Sequence, residues 1–249
     1  MLEVCVEDLS GLQAAVAGGA NRIELCAALP LGGVTPSPAL IRAGARVGVP
    51  VHVLIRSRAG DFVYDADETE LMAADIREAI GVGSAGVVIG ASRPDRTLDA
   101  SLLTKLIAVA REAGARRGSP VSLTLHRAFD LCPDPVAALE VAVNLGFDRI
   151  LTSGGVATVV AGRAVLSELV KQARGRIKIL AGSGIDPDNV GSILATGVDE
   201  IHASCQLPRP KTDPKAIELG FEQSQPKQTS AQRVAALALS IKQWRASNT

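Results

Sequence analysis

Aromatic residues are nearly missing from this chain: one Trp, one Tyr and four Phe stand among 249 residues. Stacking platforms for single-stranded nucleic acid or sugar rings are correspondingly few. Charge of one sign is missing too, since 26 Lys and Arg face 26 Asp and Glu. Without a basic excess there is little to neutralise a phosphate backbone, and nucleic acid is not an expected partner. No apolar run approaches the roughly 18 residues of a membrane-spanning helix. The opening stretch MLEVCVEDLS lacks a basic segment followed by an apolar one, so a cytoplasmic location is expected. The four cysteines, Cys5, Cys26, Cys132 and Cys205, form no close C-x-x-C pair, which argues against a closed zinc site and for free thiols.

What is present is a rhythm. Short β-rich runs alternate with helical stretches, the mark of a parallel sheet with crossover helices. Eight strands are expected, at 2–6, 22–26, 49–56, 86–90, 121–129, 149–153, 177–184 and 200–204. Thr35-Pro36, Asp134-Pro135 and Asp186-Pro187 read as helix starts, with Gly18, Gly48, Gly81 and Gly146 at left-handed C-caps. Eight such units in one domain predict a (β/α)8 TIM barrel with its core at 1–204, followed by an irregular stretch from 205 to 229 and a closing helix. An internal repeat supports this: GANRIELC, GSAGVVIG, GFDRILTS and GVDEIHAS bring strands two, four, six and eight in at the same register.

Alternation of side chains along a strand then sorts faces. In strand one Leu2, Val4 and Val6 oppose Glu3 and Cys5, and in strand three Val51, Val53 and Ile55 oppose His52, Leu54 and Arg56. Apolar sets must meet the helices, so the barrel interior should receive Glu3, Cys5, Glu24, Cys26, His52, Arg56, Thr124, His126, His202 and Ser204. All three histidines of the chain fall in this set. Ionised groups cannot be buried alone, so they must pair, shift their pKa or bind something. Pairing of Glu3 and Glu24 with Arg56 and Arg127 is one expectation. Another is a two-layer site, with Glu3 beside Glu24 below and Cys5 beside Cys26 nearer the rim.

Three chemistries are available to these residues. Two thiols at matching depth on neighbouring strands suit a soft ion such as Cu(I), which makes Cys5 and Cys26 the candidate metal ligands. HRAFD places His126, Arg127 and Asp130 at the C-terminal end of strand five, the catalytic rim of a barrel, with Glu24, His52 and Arg56 as further candidates for proton transfer and orientation. After strands six and seven, Ser153, Gly154 and Gly155, then Gly182, Ser183 and Gly184, offer backbone N–H groups to an anion. A phosphate-bearing metabolite is the ligand expected there, and no organic cofactor is indicated.

EVCVEDL, NRIELCAAL with GGVTPS, VHVLIRSRAGDFVY, TLHRAFD, DRILTSGG and EIHAS occur in the order seen in the CutC family, which the chain resembles from residue 2 to about 204. The resemblance implies a cytoplasmic (β/α)8 barrel, often oligomeric, associated by name with copper homeostasis. It also implies Cu(I) binding at positions matching Cys5 and Cys26. VCVEDLSGLQAAVAGGA and ILAGSGIDPDNVGSILATGVDEIHAS are similar to the ends of phosphoribosylanthranilate isomerase barrels. That likeness casts Cys5 as base and Asp130 as acid in a metal-independent isomerase or lyase acting on a phosphorylated small molecule.

Overall fold

A computed structural model describes residues 1–209 and 213–248. Eight parallel strands close into a barrel in sequence order: β1 (Leu2–Val6), β2 (Arg22–Leu25), β3 (Val51–Leu54), β4 (Gly86–Ile89), β5 (Ser122–Leu125), β6 (Arg149–Thr152), β7 (Lys178–Ala181) and β8 (Glu200–Ala203), with β8 pairing back onto β1. The (β/α)8 reading therefore holds. The strands are shorter than expected at β3, β5 and β7, because the residues at their ends turn into the loops that carry the site.

Helices α1 (Leu9–Ala17), α2 (Pro38–Gly44), α3 (Ala66–Gly81), α4 (Ala100–Arg117), α5 (Pro135–Leu145), α6 (Arg163–Ala173) and α7 (Val190–Leu194) cross between the strands. The outward set of strand residues, among them Val4, Ile23, Val53, Val87, Leu125, Ile150, Ile179 and Ile201, is fully buried against this helical layer. Each such side chain contributes about 1.5–3 kcal/mol. The apolar half of the alternation thus holds the barrel together and leaves its interior free to be polar.

The helix ends correct several expectations. Asp134 caps α5 with Pro135 following, and Gly146 ends it in the left-handed conformation (φ 77°). The start of α2 is Ser37-Pro38 rather than Thr35-Pro36, since Thr35 Oγ1 is engaged with the Arg56 backbone. Asp186-Pro187 opens a turn, in which Asp186 accepts from the amides of Asp188 and Asn189, and α7 begins only at Val190. Gly18 is right-handed (φ −80°) and Gly81 lies inside α3, so neither is a left-handed cap.

The stretch after β8 is more ordered than its composition suggests. β9 (Gln206–Pro208) pairs antiparallel with β10 (Lys227–Thr229), with α8 (Pro214–Glu218) between them. The last helix, α9 (Ala231–Ser247), then fills the ring between α7 and α1, burying Val234, Leu237 and Ile241. Gly18 is needed for this docking, because a Cβ there would lie 2.5 Å from that of Val234. Among the described residues no helix is long and apolar enough to cross a membrane.

Candidate functional site

The inward residues form three levels. At the base, Arg22 of β2 donates through Nε to Glu3 of β1 and through Nη2 to Glu200 of β8 (2.5 Å). Arg149 of β6 donates to Glu200 (3.1 Å), Ser122 Oγ (2.7 Å) and Thr124 Oγ1 (3.2 Å). Glu3 thus leans on Arg22 and Glu24 on His202, and not on Arg56 and Arg127 as expected, while Glu200 is held by Arg22 and Arg149. The reason is positional: Arg22 and Arg149 are the first inward residues of their strands, whereas Arg56 and Arg127 lie beyond the strand ends. The alternation that selected Glu24 also selects Arg22, two residues earlier, so this base was within reach of the same rule.

The lateral register changes the pairing of the middle level. Cys5 is aligned with Glu24, while Glu3 is aligned with Arg22 on one side and His202 on the other. Glu3 is therefore not beside Glu24, nor Cys5 beside Cys26, because β1 and β2 are offset by one inward position. His202 Nδ1 lies 2.8 Å from Glu3 Oε1, and its Nε2 lies 3.5 Å from Glu24 Oε2. One ligand atom each from Cys5, Glu24 and His202 falls within 4.8 Å of the others. Gly182 gives His202 room, since a Cβ there would lie 3.3 Å from its ring Cδ2, 3.4 Å from its Cβ and 2.7 Å from Leu151.

Burial and neighbours set the protonation of this level. Burial raises the Glu24 carboxyl to about 7, against the pull of His202 and with a push from Glu3. Burial would lower His202, but the Cys5 sulfur, by charge and hydrogen bond, together with the Glu3 and Glu24 carboxylates, holds it well above its ordinary value. Burial would likewise raise Glu3, yet its hydrogen bond with His202 and the adjacent Arg22 keep it far below the usual carboxylate range. His52 is the opposite case: burial drops it to about 3, so it stays a neutral neighbour of Thr124 at 3.5 Å. Near neutrality the middle level then holds an ionised Glu3, an imidazolium at His202 and a carboxyl at Glu24 balanced between its two forms.

Above it opens a cavity of about 320 Å³, lined by Cys5, Glu24 and His202 below and by Arg56, Phe62 and His126 on one wall. Arg127, Leu151, Ser183 and Gly184 lie around it. Phe62 has an Arg56 guanidinium 5.0 Å from its ring centre and the His126 ring at 4.7 Å. Phe62 was missed by sequence reasoning because it lies in the β3–α3 loop, where no periodicity assigns a direction. His126 is possible where it is only because Gly90 has no side chain: a Cβ there would fall 2.4 Å from His126 Cε1.

Asp130 behaves differently from a free catalytic acid. It accepts from Thr152 Oγ1 (2.5 Å), from the amides of Ser153 (3.2 Å) and Gly155 (3.0 Å), from Ser153 Oγ (3.0 Å) and from Arg127 Nε (2.7 Å). The Gly154 amide donates to Thr152 Oγ1 and that of Gly182 to the Thr152 carbonyl. The amides after strand six are thus occupied by the chain's own carboxylate and hydroxyl. Of the six residues singled out for an anion, Ser183 and Gly184 line the cavity.

Cys26 is buried among Leu29, Leu54 and Val88, with its thiol donating to the Val6 carbonyl at 3.5 Å. Burial and the nearby Cys5 push that thiol far up. One thiol, one carboxylate and one imidazole, from Cys5, Glu24 and His202, converge on the cavity floor, and Cys26 is not among them.

Residues 1–207 match the family model described as the CutC family. Over 238 residues the chain is 50% identical to a Sinorhizobium medicae protein named as a family protein CutC, covering 95% of this chain and 94% of that one. The crystal structure of a CutC protein from Streptococcus agalactiae, whose description names copper homeostasis, is 31% identical with a TM-score of 0.75, covering 82% of this chain and 98% of that one. A deoxyribose phosphate aldolase from Aeropyrum pernix, 13% identical with a TM-score of 0.60 over 82% of this chain and 85% of that one, shares the fold alone. On these matches, the chain belongs to the CutC family.

Proposed function

We propose that the barrel mouth is the active site of an enzyme that isomerises or cleaves a small anionic metabolite by acid/base chemistry, with Glu24 as the proton-transferring group. The observation that carries this is Glu24 itself: a carboxyl at the cavity floor, raised to about 7 by burial and 3.5 Å from the His202 imidazole. A group balanced between its two forms at working pH transfers protons in either direction most effectively. His202, oriented by Glu3 through Nδ1, supplies positive charge next to the reacting atoms, and Cys5 faces the same space from the neighbouring strand. The ionic base beneath them keeps these side chains from turning, which is the support that such a site needs.

The test begins with a library of phosphorylated and carboxylated metabolites, screened for thermal stabilisation and then for turnover. Turnover that disappears in a folded Glu24→Gln variant is the expected result. Full turnover in that variant would sink the assignment.

A second reading is metal binding, with Cu(I) held by the thiols of Cys5 and Cys26; the description of the Streptococcus agalactiae structure names copper homeostasis and no ion. What favours a metal is the approach of Cys5, Glu24 and His202 to within 4.8 Å, with Glu3 behind His202 in the position of a carboxylate that orients a ligating imidazole. A mixed sulfur, oxygen and nitrogen set suits a divalent ion such as Zn(II) better than Cu(I).

A further inference from the structure

Two buried donors on one wall of the cavity have no acceptor. Arg56 is 5% exposed, and its terminal nitrogens donate to backbone carbonyls, Nη1 to Leu31 (3.0 Å) and Gly33 (2.8 Å) and Nη2 to Gly60 (2.7 Å), with the Tyr64 hydroxyl also beside the guanidinium. Among the described residues no carboxylate lies within ion-pair distance of it, and its buried Nε has no hydrogen-bond partner. His126 presents the same situation. Its Nδ1 accepts from the Ala128 amide at 3.0 Å, so the neutral ring carries its proton on Nε2, and that nitrogen is also buried without a partner. Buried polar groups are nearly always satisfied, so two orphans in one cavity wall call for a ligand that satisfies both.

We infer that Arg56 and His126 form a subsite for the carboxylate group of a small carboxylic acid. One full positive charge and two available N–H groups match a monoanion with two oxygens. A phosphate, with three terminal oxygens and up to two charges, asks for more donors, and the amides of Ser153, Gly154 and Gly155 are already committed to Asp130 and Thr152. Phe62 contacts both residues, its ring centre 5.0 Å from the Arg56 guanidinium and 4.7 Å from the His126 ring, and burial with the nearby Arg56 holds His126 neutral by lowering it to about 3.

This inference rests on the mouth being a small-molecule site, and it deepens the proposed function by naming the substrate class. The experiment titrates acetate, pyruvate, malonate and inorganic phosphate into the full chain, reading affinity by calorimetry and the His126 ring nitrogens by NMR. Saturable binding of a carboxylate at one site per chain, with a shift at His126 Nε2 and affinity about tenfold weaker in His126→Phe, is the expected outcome for a lost charged-ligand hydrogen bond. The NMR shift in the unaltered chain keeps the test decisive if His126→Phe fails to fold. Phosphate bound in preference to every carboxylate, or no shift at His126, overturns the inference. Glu24→Gln separates the two proposals. Carboxylate binding retained in a Glu24→Gln variant that still turns substrate over would reject the role of Glu24 and leave the subsite standing.

Discussion

Replacing Glu24 by Gln should change how stability depends on pH. The carboxyl ionises near 4.5 in the unfolded chain and near 7 in the barrel, where burial disfavours the charge. A group whose folded pKa is raised contributes stability that is fully present below the unfolded value and is lost as pH rises through the folded one. Each step of one between the two values corresponds to about 1.4 kcal/mol, so the whole effect is about 3 kcal/mol, accumulating between about pH 4.5 and 7. Gln has the same size and no charge, hence the variant escapes this loss. The other titrating groups are common to both proteins, so the difference between them reports Glu24 together with the His202 imidazole that it faces. Urea unfolding at pH 5 and pH 8 should show Glu24→Gln gaining about 2 kcal/mol on the native chain across that interval. A difference that stays constant within about 0.5 kcal/mol would mean that the carboxyl is not held near 7, and the proton-transfer role would lose its foundation.

Two further outcomes follow from the levels beneath and beside it. Arg22→Met removes the one guanidinium shared by Glu3 and Glu200; because Glu3 keeps His202 and Glu200 keeps Arg149 and Lys178, the lost charged hydrogen bonds should cost about 1.5–3 kcal/mol in urea unfolding, and a loss under about 0.5 kcal/mol would show that the barrel base does not depend on Arg22. Cu(I) stoichiometry of the reduced protein should fall in Cys5→Ser and stay unchanged in Cys26→Ser if the converging Cys5, Glu24 and His202 set is what binds metal. Loss in both would restore a two-thiol site, and no loss in either would remove metal from this position.

Much of the barrel could be read from alternation alone, because strands packed against helices on one side and a polar interior on the other leave clear parity. Eight strands, their order and the inward direction of Cys5, Glu24, His126 and His202 come from that rule. The lateral offset between strands does not. Strand tilt in a closed barrel sets it, and this tilt places Glu24 beside Cys5 rather than beside Glu3. Loop geometry was equally hidden: nothing in HRAFD or LTSGG shows that Asp130 reaches across to saturate the amides of the next loop. Arg22, by contrast, was visible to the parity rule. It sits on the same face as Glu24, and following that face one step further down would have found the base of the network.

The three converging residues come from β1, β2 and β8, so the group spans the seam where the first and last strands of the barrel meet. Neither end of the chain holds the chemistry by itself. A nascent chain that has emerged through β7 carries Cys5 and Glu24 but lacks the imidazole, and gains it only when β8 docks. Closure of the ring and assembly of the group are then one event, and an incompletely made or opened barrel lacks one of its three members.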